Sequence, residues 1–303
     1  MKELIEKYGL FYGERFYRYQ KKRFLNELYK DIKPYTDDLQ IFSDKRGRSK
    51  HLAVNDLTKA DVIVIASYDT LSKTIFGKYY PFNKNKSLKQ NDYMLILNFV
   101  IFVILAAVMW LLNHCISTNV QAFNIVTFIL LCILLVVGTI LYKGLPCKYN
   151  YNRNSISVVT LINLIKNSNS KKIGFVFLDN ASNSYQGYKE IREYISKKQK
   201  VIVLDALSSG DMLAFVTSES MQKDARQLEA IFDHQKSIVK VYKHEDQNDR
   251  MNLFEKMLVI TTGIQHERDF VVEESRNGQD YRIDYDRLLK INDSLIGYIQ
   301  SIQ

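Results

Sequence analysis

The chain has 303 residues, 47 % apolar and 25 % charged, with 42 Lys and Arg against 33 Asp and Glu for a net charge of +9. That average hides a partition: the fifty residues from Tyr93 to Tyr142 contain no Asp, Glu, Lys or Arg, and the other 253 carry every charge. Such a distribution excludes a wholly soluble protein, a polytopic transporter and a disordered chain.

In chain order, Leu4–Leu28 has apolar positions near helical spacing and predicts a helix. Its Tyr- and Lys-rich start (Tyr12, Phe16, Tyr17, Tyr19, Lys21, Lys22, Arg23) fits an amphipathic helix with a solvated basic face. His51 precedes an apolar strand-like stretch and has no partner identifiable from sequence. Asp61–Ser67 (DVIVIAS) is a short β-branched run, as expected for a strand buried on both faces.

Residues 94–112 and 123–142 are two uncharged apolar stretches, each close to the ~20 residues that span ~30 Å of hydrocarbon. The linker His114–Ala122 is short and uncharged, so the two predict a tight hairpin rather than a pair of core helices. Lys73, Lys78, Lys84, Lys86 and Lys89 precede the first span, and Lys143 and Lys148 follow the second. By the distribution of Lys and Arg, both termini are expected to be cytoplasmic in a two-pass protein of the cell membrane. Residues 1–92 hold 19 basic and 12 acidic residues (+7), against 23 and 21 (+2) in residues 143–303. A basic excess beside the bilayer fits anionic lipid head groups better than nucleic acid. The expected partners are therefore the lipid bilayer and a membrane protein or peptide, with no nucleic acid.

Beyond the hairpin, Ser157–Ile165 predicts a helix with Asn154 or Ser155 as N-cap. Strands follow at Ile173–Leu178, Val201–Leu204, Met212–Val216, Ser237–Tyr242 and Met257–Thr262, and helices at Tyr188–Lys197, Gln222–Gln235 and Asp286–Gln300. This alternation predicts an α/β fold, a mostly parallel mixed sheet with helices on both faces. Neither flank of the hairpin makes a complete domain. Residues 1–92 and 143–303 are expected to build one cytoplasmic domain interrupted by the hairpin at 93–142, with its site edge at the strand C-termini facing the membrane. Cys115, Cys132 and Cys147 form no metal or disulfide pattern, which fits a reducing compartment. There is no P-loop, G-x-G-x-x-G or H-E-x-x-H motif, and no G-x-S-x-G elbow that would make Ser67 a nucleophile. Ser208-Ser209-Gly210-Asp211 predicts a tight turn, and His234, His244 and His266 surface or loop positions.

Four segments fall at strand ends or the following helix start: IASYDT, NRNSISVVTLI, IGFVFLDNASNSYQGYK and VIVLDALSSGDMLAFV, with a weaker fifth, IDYDRLLKI. Their order resembles the zinc-dependent aminopeptidases of the co-catalytic two-metal type, the bacterial leucyl aminopeptidases and their relatives. Those proteins read roughly A-H-Y-D-T, D-N-x-S-G-V and F-x-x-x-D-N-E-E-x-G, then an Asp closing a later strand and a late His. The resemblance implies that fold, and it implies a degenerate site. The first metal-binding His falls at Ser67, and the Asp that orients it is kept as Asp69. The carboxylate bridging both metals falls at Arg153, and the general-base and metal-binding Glu pair at Ala181 and Ser182. The later metal-binding Asp is kept as Asp205, and the final His falls at His266 on a poor local match.

Two-metal hydrolysis needs a bridging carboxylate between cations ~3.5–4 Å apart and a base for the bound water. A permanent cation at the bridging point repels zinc, and neither Ala nor Ser is a carboxylate base. No metal or other cofactor is then expected. Arg153 is expected to stand in for the cations by pairing with Asp205 or Asp69; helix capping is the other role open to those two acids. The function implied is a membrane-anchored, catalytically inactive aminopeptidase-like protein that binds a peptide or protein partner. The alternatives are an active zinc peptidase with non-standard ligands and an accessory subunit of a membrane transport or export complex.

Overall fold

The computed structural model describes residues 1–302 apart from 45, 117–119, 183–184, 233–235, 244–248 and 267–268. His234 and His244 lie outside the described residues.

The fold is organised around β3 (Val62–Ser67), all six residues of which are buried. Val62, Val64 and Ala66 face one apolar cluster, while Ile63 and Ile65 face another. Cover on both faces explains why the strand reads as an unbroken apolar run. β4 (Ile173–Leu178) and β5 (Lys200–Asp205) flank β3 in parallel, and β8 (Met257–His266) runs parallel to β5. Outside this parallel centre the sheet turns antiparallel. β1 (Leu39–Ser43) and β2 (Lys50–Val54) form a hairpin on β4, and β6 (Met212–Ser218) runs against β8. β7 (Ser237–Tyr242) lies parallel to β6 at the edge, as expected, and β9 (Asp269–Val271) pairs with the end of β8. The order is β1-β2-β4-β3-β5-β8-β6-β7. Strands from before the apolar hairpin and strands from after it thus share one sheet.

One face is covered by α1 (Lys2–Glu6), α2 (Arg18–Ile32), α5 (Ile156–Lys166), α7 (Gln222–Ile231) and α8 (Tyr285–Ile302). The other is covered by α6 (Gln186–Ile191), an irregular segment carrying Met251, Leu253 and Phe254, and Phe270 of β9. The single helix expected over Leu4–Leu28 is broken. A π turn runs from Lys7 to Phe11, and the chain leaves the helix before α2. The cause is Arg15, which is fully buried and donates to the carbonyls of Tyr8, Tyr12 and Tyr68 and to Ser155 Oγ. A continuous helix would point this side chain elsewhere.

α3 (Lys84–Ile116) and α4 (Val120–Lys143) form the hairpin. Both are long and apolar enough to cross a membrane, and their apolar windows lie wholly outside the core. Asn98 donates to the Leu141 carbonyl across the pair (2.9 Å), and Gly138 leaves room for the Phe102 ring. At the hairpin's root the two legs are tied together. Ser72 pairs with Pro146, and the Lys73 N–H donates to the Leu145 carbonyl (2.8 Å).

Candidate functional site

The register places Ser67 opposite Leu178 on β4, and Ala66 opposite Leu204 on β5. Ser67, Asp69, Asp179 and Asp205 therefore share the C-terminal edge of the parallel strands. Across from them the chain enters α5 through a π turn, Tyr151–Ser155, buried from Asn152 onward. Asp280 holds this turn, accepting from the N–H groups of Asn152 (2.8 Å) and Arg153 (3.0 Å). Burial pushes its carboxyl up to about 7.

The turn aims Arg153 into the edge. Its Nη1 meets Asp205 Oδ1 at 2.5 Å, the contact expected from sequence. The second Asp205 oxygen is taken by Arg250 (2.7 Å) and by the Tyr79 hydroxyl (3.0 Å). Tyr79 also lies beneath the Arg153 guanidinium, 3.7 Å from ring centroid to Cζ, a cation–π arrangement. All four side chains are buried. Burial alone would raise the Asp205 carboxyl, but Arg153 and Arg250 overcome it and hold it below the usual carboxylate range. Asp205 is thus an ion-pair hub and not a helix cap.

A second group completes the edge. Asp69 accepts from the N–H groups of Ala181 (3.1 Å) and Ser182 (3.1 Å to Oδ2) and from the Ser182 hydroxyl. Asn154 Nδ2 reaches the hydroxyls of both Ser67 (3.1 Å) and Ser182 (3.2 Å). Ser155 occupies the expected N-cap position of α5, but neither side chain makes a capping hydrogen bond: Asn154 bridges two serines, and Ser155 joins Arg15 to the Tyr8 carbonyl. Ser67, Asp69, Arg153, Ala181, Ser182 and Asp205 are thus brought together. His266 is not, being exposed at the end of β8 opposite Asp269.

These residues do not fit a pair of zinc ions. Both Asp205 oxygens face guanidinium groups, and Asp69 is turned onto peptide N–H groups. Among the described residues no three His, Cys, Asp or Glu side chains gather as metal ligands.

Four contributors escaped sequence reasoning. Arg250 ends a polar run that reads as solvated loop, and Tyr79 sits in a segment that reads as a membrane linker. Asp280 lies in the polar stretch NGQDYR. His51, expected to lack a partner, is buried between two: its Nδ1 accepts from the Asp179 N–H (3.1 Å), leaving Nε2 to donate to Glu190 (2.9 Å). Asp179 itself pairs with Lys21 at 2.5 Å. Beside this group lies a cleft of about 980 Å³, lined by Lys21, His51, Asp179, Gln186 and Glu190 among others.

No protein-family model matches the sequence, and no curated protein matches it. Solved structures do. The chain is similar to the glutaminyl cyclase of Macrostomum lignano at 10 % identity, over 99 % of this chain and 88 % of that one, with a TM-score of 0.51. It is similar to a TET aminopeptidase from a marine sediment Thaumarchaeota archaeon at 11 % identity, over 100 % and 98 %, with a TM-score of 0.46. It is also similar to the zinc aminopeptidase of Bacillus subtilis at 10 % identity, over 84 % of this chain and 49 % of that one, with a TM-score of 0.45. The chain thus matches about half the length of the Bacillus enzyme. At these identities the likeness is one of fold alone: a mixed α/β scaffold with helices on both faces of its sheet.

Proposed function

We propose that the chain is a membrane-anchored, aminopeptidase-like protein that does not hydrolyse peptides and instead binds a peptide or protein partner at the cytoplasmic face. One observation carries the proposal: Asp205, at the sheet edge, is clamped between Arg153 and Arg250. Two guanidiniums supply there the positive charge that two metal ions supply in a metallopeptidase, and they supply it permanently. A guanidinium binds and orients anionic groups but activates no water. The cleft beside Asp179 and His51 is lined by both acids and bases and is of a size that suits a short peptide.

The test is elemental analysis of the full chain purified without chelator, with hydrolysis of aminoacyl-nitroanilides measured on the same sample. The expected result is less than one tenth of a zinc equivalent per chain and no turnover. Two equivalents of zinc with turnover would refute the proposal and favour the peptidase.

A further inference from the structure

At the root of the hairpin lies a cavity of about 500 Å³, where the loop after β3, the start of α3 and the end of α4 meet. Its lining combines the cations Lys73, Lys143 and Arg276 with the apolar side chains Met94, Leu95 and Tyr142. Leu95, Asn98 and Tyr142 also line a neighbouring groove of about 400 Å³ between α3 and α4, whose walls include Phe99, Phe102 and Leu134. The two spaces share these residues, so the basic cavity adjoins an apolar groove between the helices.

Arg276 is the notable group. It is 3 % exposed, its Nη2 donates to Asn91 Oδ1 (2.8 Å), and its Nε has no hydrogen-bond partner. No acid pairs with it among the described residues. Burial lowers its pKa to about 10, and the Arg153 charge adds to that effect. A buried guanidinium with an unused donor and no counter-charge is costly unless an anion arrives from outside. Lys73 and Lys143 are exposed at the same cavity and form no ion pair among the described residues. Lys21, also on the wall, is committed to Asp179; Asp69 is committed to Ala181 and Ser182, and Asp92 is exposed.

We propose that this cavity holds the phosphate of an anionic glycerophospholipid, with one acyl chain lying in the groove between α3 and α4. The proposal rests on the reading that the hairpin spans a bilayer. The apolar window of α4 ends at Lys143, so the basic pocket then sits at head-group depth and the groove at acyl depth. A soluble phosphate would satisfy Arg276 but would leave the continuous apolar groove unfilled.

The test is native mass spectrometry of the full chain in detergent, titrated with phosphatidylglycerol, phosphatidylcholine and glycerol 3-phosphate. Phosphatidylglycerol should be retained in preference to phosphatidylcholine, and glycerol 3-phosphate should not bind at the same concentration. Each neutralised cation among Arg276→Gln, Lys73→Gln and Lys143→Gln should weaken retention about fivefold. The double Lys variant changes only exposed residues, so it tests the site even if Arg276→Gln fails to fold. Equal retention of the two lipids, or binding of glycerol 3-phosphate as strong as that of the lipid, would overturn the proposal. Alkaline carbonate extraction of membranes separates the two failures. A chain that resists extraction yet shows no lipid preference sinks the lipid site alone, whereas a chain stripped by carbonate sinks the membrane reading with it.

Discussion

Replacing Asp205 by Asn removes one negative charge and almost no volume. In the protein that carboxylate faces two guanidiniums, Arg153 at 2.5 Å and Arg250 at 2.7 Å, with all three groups buried. The substitution strands two cations in the interior, where each already disfavours the other's charge. Removing one member of a buried ion pair costs about 3–5 kcal/mol. For a protein of this size that corresponds to a fall in the unfolding midpoint of about 6–20 °C, at about 2–4 °C per kcal/mol. The assay is near-ultraviolet circular dichroism of the detergent-solubilised full chain during heating. In an Arg153→Met background only one guanidinium is stranded, so Asp205→Asn should cost less there, by about 0.5–3 kcal/mol of coupling. A midpoint shift below about 2 °C, no larger than an exposed pair would give, would refute the reasoning. The sign with pH follows from the lowered Asp205 pKa. Its contribution is complete above the unfolded value of about 3.9 and disappears as the pH falls through the lower folded value.

The Asp280 carboxyl has the opposite sign. Its folded pKa is raised to about 7, so its contribution is greatest below about pH 4 and declines as the pH rises to about 7. Asp280→Asn should flatten that decline, measured as the difference in urea midpoint between pH 5 and pH 8; an unchanged difference would show that another group is responsible. Gly210 has φ +79°, and a Cβ there would collide with the Gly263 backbone. Gly210→Ala should therefore destabilise by about 1–3 kcal/mol, and an unaltered melting curve would contradict this packing. Replacing residues 84–143 by a short Gly/Ser linker should yield a folded, detergent-free monomer, because the Ser72–Pro146 bridge already holds the two legs together. Aggregation of that variant during size-exclusion chromatography would argue against independent folding of the sheet.

The central strands were legible because burial on both faces leaves continuous β-branched runs, as in Val62–Ser67 and Ile173–Leu178. β1 and β2 were not. β1 is an edge strand, with three of five residues exposed and the other two half-buried, so neither a continuous run nor strict alternation marks it. The candidate site was readable where it lay on strand ends and at the start of α5, in the motifs that carry the resemblance, which is how Ser67, Asp69, Arg153, Ala181, Ser182 and Asp205 come from sequence. It was unreadable where irregular chain supplied it. Tyr79 and Arg250 are polar neighbours of polar residues, and only the folded positions of their segments bring them onto Asp205. Asn154 and Ser155 show the same limit, since cap-forming residues before a helix were drawn instead into the buried network.

The paired legs at Ser72 and Pro146 also have a mechanical consequence. A domain hung from one helix swivels about a single tether and samples every orientation above the bilayer. A domain clamped at both ends of a hairpin has no such swivel, so tilting α3 and α4 turns the C-terminal edge of β3 as one rigid handle. On the proposed reading that the hairpin spans a bilayer, encounter with a partner in that bilayer becomes lateral, and the fixed orientation raises the effective concentration of one face of the sheet edge over all the others.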